Sequence, residues 1–501
     1  MSSKPATRRH LVFACLMLAM FMVAIEATVV ATAMPQIVAR LGGFSYYAWV
    51  FSAFLLAQSA TTVMFGKLAD LHGRKPVMIA GLVVFLIGSV LAGFSWSMSS
   101  LIAFRLIQGL GAGAVLPITI TIVADLYTLD ERRQTQSYMA SVWGVSAVIG
   151  PLAGALIVQH IPWSWVFWIN VPPGILAVAG LMLFLHEDIE RHDHPIDYLG
   201  AGLFVVAVTS LLLAISPDAS GGILSHPLAF ALIFAVAAPL FFLRERHATE
   251  PMVELGLWAQ PMIASANLAT LFAGVALIGL TAMLPVYIQA VLGRTPIVSG
   301  LTLTAMAVAW PIAATAAARL FLPWMGLRQT MRCGAVLMVV GAFAFLWVNS
   351  ANGLWLAAGG GFLMGWGMGM MTYTAVMILQ ASVDWRKRGA ATASNVFSRL
   401  LGNTMGAAAM GAILNLGLKA SGAHVTSEQV RALMDRRPGV AVHAVHAVDP
   451  ALRSALANAL HGVFLAMTVL AVLTLLAAFA MPKPQFEEPF RRRVVEPKPA
   501  E

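Results

Sequence analysis

LVFACLMLAMFMVAIEATVVATAM, residues 11–34, carries one charged side chain, Glu26, in an otherwise apolar run long enough to cross a bilayer. A charge at the centre of a membrane helix costs roughly 2.5–3.5 kcal/mol on insertion scales. The carboxylate must therefore meet a partner, face a polar cavity or take up a proton. Each outcome makes Glu26 a candidate for handling an ion or a cargo.

Composition extends this reading to the whole chain. With 501 residues, 59% hydrophobic and 11% charged, and a mean hydropathy of +0.82, a set of soluble domains is excluded. Apolar runs of spanning length fall near 11–34, 46–66, 77–97, 99–125, 137–159, 165–185, 198–216, 226–243, 262–292, 299–322, 330–348, 354–381, 391–418 and 461–481. They predict an all-α polytopic membrane protein with fourteen transmembrane helices. The first run is too long for a cleavable signal and lacks a small-residue cleavage site, so an uncleaved first span is expected.

The net charge of +9 does not point to nucleic acid, because the basic residues follow the positive-inside rule. Lys4, Arg8 and Arg9 precede span 1; Lys67, Arg74 and Lys75 follow span 2; Arg132 and Arg133 follow span 4; Arg386, Lys387 and Arg388 follow span 12. The alternate short loops hold only Arg40 and Arg294. Both termini are expected in the cytoplasm, with the chain embedded in a bacterial cytoplasmic membrane. Cys15 and Cys333 imply no disulfide framework. An outer loop is expected over 419–460, and a disordered, Pro-rich cytoplasmic tail over 482–501.

The chain repeats itself. LDERRQTQSYMAS (129–141) after span 4 and VDWRKRGAATAS (383–394) after span 12 each place an acid and a basic cluster ahead of small and polar residues. On that match 1–190 forms one six-helix bundle and 259–481 a second, with a two-helix insert over 191–258. The insert spans carry no charge, so a peripheral filler is expected there. Paired halves around a mid-membrane site are the usual plan of secondary transporters.

Three further stretches carry chemistry. GKLADLHGRKP (66–76) sets Asp70 at a helix end beside Lys67, Arg74 and Lys75, with Gly66 and Gly73 expected to allow close backbone approach. An acid at a helix C-terminus opposes the macrodipole, so an ion-pair latch to a neighbouring helix is expected; an ordinary basic loop is the competing reading. RLIQGLGAGAVLP (105–117) places Arg105 alone in span 4, at a depth comparable with Glu26. Pairing of the two is expected; snorkelling of Arg105 to the outer interface is the competing reading. In SVWGVSAVIGPLAGALI (141–157), Gly144, Gly150, Pro151 and Gly154 put small residues and a kink on one helix.

These stretches, in this order, resemble the major facilitator superfamily, and within it the fourteen-span drug:proton antiporter branch. Gly66, Asp70, Gly73, Arg74 and Lys75 match the loop signature, and Arg105, Gln108, Gly109 and Gly113 the span-4 signature, whose arginine the family ties to proton transfer. Gly144, Gly150, Pro151 and Gly154 resemble the antiporter signature of exporters. FMVAIEATVVATAMP (21–35), WSWVFWINVPPG (163–174), LPVYIQAVLGRTP (284–296) and RLLGNTMG (399–406) are similar to stretches of the same branch. Three departures stand out: Glu26 where the branch more often has Asp, Ala155 where a second glycine is common, and ARLFLPWMGLRQ (318–329) without the acid of a repeated loop signature.

The resemblance implies a proton-coupled exporter of lipophilic, cationic drugs or toxic molecules, with multidrug efflux as the expected activity. Glu26 and Arg105 are the expected proton-coupling residues. Between Glu254 and Glu428 the only acid is Asp384, in a loop, which leaves Glu26 as the membrane carboxylate. Burial opposes its charged form and a neighbouring arginine supports it. Proton and cationic cargo would then compete for one carboxylate.

Gln58, Gln108, Asn267, Tyr287, Gln289, Tyr373 and Asn403 are candidates for the cavity, although each also suits a bond to a neighbouring helix. Arg399, one turn from Asn403, either faces the cavity or pairs with Asp384. No metal and no cofactor other than the proton is expected. A periplasmic adaptor is compatible with the chain, but no segment visibly encodes one. A specific metabolite as cargo, or import instead of export, are the rival readings. A membrane-embedded enzyme would need an HExxH-type or nucleophile–base set that the spans lack.

Overall fold

A computed structural model of the chain describes residues 8–187, 197–215, 226–248, 255–349, 352–383, 388–421 and 450–483. The tail beyond residue 483, most of the expected outer loop, Asp384 and the side chains of Lys67 and Asp70 lie outside the described residues. The described chain is helical, with no strand. In order, the helices are α1 (Arg9–Leu41), α2 (Tyr47–His72), α3 (Arg74–Gly93), α4 (Met98–Leu126), α5 (Leu129–His160), α6 (Trp165–Trp168), α7 (Val171–Phe184) and α8 (Tyr198–Ile215). They continue as α9 (Pro227–His247), α10 (Leu255–Trp258), α11 (Pro261–Val286), α12 (Pro296–Ala316), α13 (Leu322–Ala344), α14 (Gly353–Ser382), α15 (Arg388–Ala420) and α16 (Pro450–Ala480).

Ten helical stretches among the described residues are long and apolar enough to cross a membrane. One of them, Pro296–Trp347, covers two of the spans expected from sequence, around a kink at Gly326, where φ is 79°. Large apolar side chains stand on the outward surface, Leu228, Leu176 and Trp355 among them, as suits helices whose outer solvent is lipid. Helix starts follow local chemistry. Ser97 caps α4 by accepting the Ser100 N–H at 3.2 Å, and Thr128 and Glu131 form a capping box on α5. The Thr128 backbone N–H donated to Glu131 holds that carboxyl below the usual carboxylate range.

One packing scheme occurs twice. Among α1 to α7, α1 packs on α5 and α7, α4 lies between α2 and α3, and α3 meets α7. Among α11 to α16, α11 packs on α15 and α16, α14 lies between α12 and α13, and α13 meets α16. Most of the contact between these two sets runs along two seams, α5 against α12 and α2 against α15, with α1 also touching α11.

Helices α8 and α9 pack on each other, and Phe204, Val208 and Phe241 join Leu56 and Ala60 of α2 with Phe397 and Ala408 of α15 in one apolar cluster. The insert thus covers the α2–α15 seam. Arg244 Nε, donating to Asp197 Oδ1 at 3.0 Å, ties its ends together.

The hydrogen bonds that join the two sets, among the described residues, lie at the Leu41 end of α1. Tyr47 Oη donates to the Ala282 carbonyl at 2.7 Å, Gln289 Nε2 to the Thr32 carbonyl at 3.2 Å, and Asn415 Nδ2 to the Ser45 carbonyl at 3.0 Å. Close helix approach is set by small residues, because between membrane helices packing, rather than water exclusion, drives association. Gly154 of α5 lies directly on α1, where an added Cβ would sit 2.5 Å from the Val29 carbonyl oxygen. At Gly66 the expected close approach is not made: it sits in mid-helix with open space where a Cβ would go. Gly73 does serve as the turn residue, at φ 93°.

Gly154→Val is expected to push α5 off α1 and lower stability by about 1–3 kcal/mol, as overpacking does, measured as a fall in the thermal unfolding midpoint of the purified protein. Gly66→Ala should leave that midpoint unchanged or slightly higher, since the site is open and alanine favours the helix. A wild-type midpoint for Gly154→Val would contradict the tight α1–α5 contact.

Candidate functional site

Glu26 lies on α1 and is fully buried, as are Arg105 and Gln108 on α4, Ser89 on α3, and Asn170 at the α6–α7 junction. Arg105 Nη1 donates to Glu26 Oε1, and Asn170 Nδ2 donates to Glu26 Oε2. Arg105 Nη1 also donates to Gln108 Oε1 at 2.6 Å, and its Nε to the Val50 carbonyl of α2 at 3.2 Å. Gln108 Nε2 completes the chain by donating to Ser89 Oγ at 2.7 Å. The guanidinium lies over the Phe54 ring, 4.2 Å from its centroid, with Phe167 on another side. The expected Glu26–Arg105 pair is therefore formed, and snorkelling of Arg105 is not.

This arrangement neutralises a carboxylate inside an apolar bundle by surrounding it with donors. A buried ion pair persists only where remaining lone pairs and protons are also satisfied. Here both carboxylate oxygens and three guanidinium contacts are used, and α1, α2, α3, α4 and the α6–α7 junction each contribute an atom. Asn170 was missed by reasoning on charges. Its stretch, WSWVFWINVPPG, offered the signal, as the one amide within an aromatic run. Its own Oδ1 is buried with no hydrogen-bond partner.

The loop signature builds a second cluster at the Arg9 end of the bundle. Arg74 pairs with Asp125 at the end of α4. Glu187, just past α7, accepts the backbone N–H groups of Arg74 and Lys75 at 2.8 and 2.9 Å, which caps the start of α3. Lys75 Nζ donates to the Leu185 carbonyl at 2.6 Å and the Met182 carbonyl at 2.9 Å. Arg74 and Lys75 therefore lock α3 to α4 and α7. Glu187 also went unrecognised from sequence, because its partners are 113 and 112 residues away.

Gly150, Pro151 and Gly154 place α5 against both α1 and α12. A Cβ at Gly150 would collide with Thr28, and one at Gly300 of α12 would crowd the Pro151 carbonyl. Gly144 faces Pro311 of α12. The predicted antiporter stretch thus sits where α1, the helix of Glu26, meets one seam.

Of the cavity candidates, most are committed to contacts between helices. Gln108 belongs to the Glu26 network. Asn267 Nδ2 donates to Ser394 Oγ and its Oδ1 accepts from Asn395 Nδ2, both at 3.0 Å, joining α11 to α15. Tyr287 is buried against His461 and Phe464 and donates to the Val348 carbonyl at 3.3 Å. Gln289 grips Thr32 of α1. Tyr373 packs on an α12–α14 cluster, and Gln58 is partly buried on α2, its carbonyl accepting from Thr62 Oγ1 at 2.7 Å. Asn403 has its Oδ1 buried and unbonded beside Gly274. Met364, Met368, Met370 and Met371 are buried between helices and do helix-packing duty.

Residues 16–407 match the family model described as Major Facilitator Superfamily. The chain belongs to the major facilitator superfamily. Among its relatives, "Multidrug resistance protein 3" of Bacillus subtilis (strain 168) is 33% identical over 426 residues, covering 82% of this chain and 80% of that protein. "Multidrug transporter protein MdtP" of the same organism is 32% identical over 419 residues, covering 82% and 76%. The fold is similar to a crystal structure of a bacterial homolog to the human lysosomal transporter Spinster, in an inward-facing and occupied conformation, at TM-score 0.66 and 18% identity over 95% of this chain and 97% of that one. It is also similar to a crystal structure of the nucleoside transporter NupG, at TM-score 0.58 and 12% identity over 95% and 100%. The chain is thus a multi-pass membrane transporter of the major facilitator superfamily, a family of transport proteins rather than enzymes.

Asn170→Leu is expected to remove a charge-assisted hydrogen bond from Glu26 and lower stability by about 1.5–3 kcal/mol. Glu187→Gln, which weakens a partly exposed helix cap, should cost about 1 kcal/mol or less. Thermal unfolding of the two purified variants orders them; the reverse order would contradict the carboxylate's dependence on Asn170.

Proposed function

We propose that this chain is a proton-coupled secondary transporter that exports lipophilic small molecules across a bacterial cytoplasmic membrane by alternating access. Fourteen spans are assigned: six over 1–190, two in the insert over 191–258, and six over 259–481, with both termini cytoplasmic. The doubled packing scheme and the charge placement support that assignment. The proton is the coupling ion, with no other cofactor and no nucleic-acid partner.

The observation that carries the proposal is the position of the buried carboxylate on α1. Glu26 and Thr32 are six residues apart, about 9 Å along the axis at 1.5 Å per residue. Glu26 anchors α1 to α4 and Asn170, and the Thr32 carbonyl is where Gln289 of the other half holds the same helix. A proton on Glu26 removes the negative charge and adds an O–H donor, so the charge-assisted bonds from Arg105 and Asn170 both weaken. Loosening them frees α1 to move, and with it the contact that joins the halves. The seal lies at the Leu41 end, the outer end in the assigned orientation, which supports an inward-open arrangement. Each charge moved with the membrane field then contributes about 2.3 kcal/mol per 100 mV.

The sequence favoured cationic cargo because Glu26 was the one membrane carboxylate. That preference needs direct contact with cargo, and both Glu26 oxygens are engaged inside the first six spans. Proton and cargo therefore communicate through α1, and do not share the oxygens directly. The loop cluster of Arg74, Asp125 and Glu187 is assigned to gating, and the α5 small-residue face to the antiport hinge.

Everted membrane vesicles energised acid-inside test the proposal. Wild type is expected to accumulate a lipophilic dye, and Glu26→Gln to lose proton-driven accumulation by at least about tenfold while still binding the dye. Undiminished accumulation by Glu26→Gln would overturn the assignment of the proton site. Dye movement in the opposite direction would make the protein an importer.

A further inference from the structure

Arg399 is the counterpoint to Arg105. It projects from α15, partly buried, and its guanidinium carbon lies 6.0 Å from the centroid of the Trp310 ring on α12. Helices α12 and α15 are not close-packed neighbours, so this side chain links two helices that otherwise make little contact. Trp310 is fixed from its other edge, its Nε1 donating to Thr372 Oγ1 of α14 at 3.2 Å. Among the described residues no carboxylate lies within ion-pair distance of Arg399, and no hydrogen bond leaves its guanidinium. Arg399 is eleven residues into α15, roughly 16 Å along the axis from its start. Asn403, one turn further along, turns its buried and unbonded Oδ1 towards Gly274 of α11.

A cation held among membrane helices without an anion is costly, and side chains so placed mark substrate paths. A guanidinium offers five donors in a planar fork that fits a carboxylate, sulfonate or phosphate, and an aromatic ring beside it takes a flat apolar body. Arg105 has spent that fork on Glu26, Gln108 and Val50; among the described residues Arg399 has all of it free. We propose that Arg399, with Trp310 as its apolar wall, is the cargo site's oxyanion subsite, so that the exported molecules include lipophilic organic acids and zwitterions. The inference names the cargo of the exporter proposed above and rests on that reading for the direction of movement only.

The test uses the full-length protein in phosphatidylcholine nanodiscs and two matched probes, a xanthene dye with a free benzoate and its methyl ester. Fluorescence anisotropy reads both affinities. Arg399→Gln is expected to weaken the benzoate dye by at least about tenfold and the ester by less than about twofold, the difference expected for a lost charged hydrogen bond. Ester binding by the same variant shows that it is folded. Should it fail to fold, Arg399→Lys carries the same comparison, because an ammonium lacks the fork and should still lower the benzoate-to-ester preference. Equal weakening of both dyes, or an unchanged preference, overturns the subsite. Phosphatidylglycerol in the nanodisc must leave benzoate binding intact; displacement of the dye by that lipid would make Arg399 a headgroup site and overturn the cargo assignment. Vesicles that fail to move either dye, with the binding difference intact, would sink the exporter reading and leave the subsite standing.

Discussion

A single ion pair, Glu26 with Arg105, organises helices α1 to α7. Neither charge would persist alone in this interior, and the pair persists because other helices complete its hydrogen bonding. Val50 supplies a carbonyl from α2, Ser89 a hydroxyl acceptor from α3, Gln108 an amide from α4 and Asn170 an amide from the α6–α7 junction. The energetic requirement of one carboxylate thus fixes the relative placement of most of a bundle. In lipid, where apolar faces gain little by meeting one another, such a polar nexus and close small-residue contacts are what remain to specify an arrangement.

The same helix that carries the carboxylate is gripped elsewhere by backbone contacts. Gly154 brings α5 onto the Val29 carbonyl, and Gln289 reaches the Thr32 carbonyl from the other set of spans. Chemistry at Glu26 and packing at the seams therefore act on one rigid rod. At its start, that rod is tied to α5 through Arg9, whose Nη1 donates to Glu131 at 3.0 Å. Around it, Arg74 with Asp125 and Glu187 with the start of α3 hold the neighbouring helices at the same end of the bundle.

The two sets of helices, α1 to α7 and α11 to α16, share a packing scheme and differ in chemistry. Where the first buries a neutralised arginine, the second presents Arg399 without a described acid. Asn267, Asn395, Ser394 and Thr270 knit α11 to α15 with uncharged bonds instead. The buried ionic network, among the described residues, thus belongs to one set of helices and the unpaired guanidinium to the other.

Much of this was legible in the chain. Apolar run length gave a helical membrane protein, since spanning lipid leaves few other structures. The cost of burying charge singled out Glu26 and Arg105, and their similar depth made them partners. What sequence could not supply was contact between residues far apart in the chain. Asn170 lies 144 residues from Glu26, Gln289 lies 257 from Thr32, and Glu187 lies 113 from Arg74. Gln108, Asn267 and Tyr287 read equally well as cavity lining or as helix-to-helix bonds, because a polar side chain on a membrane helix faces either way until its neighbours are known. From the order of residues follows which groups lipid would not tolerate unpaired. Which of those groups find partners is settled in three dimensions, because it depends on distances between helices that chain order does not encode.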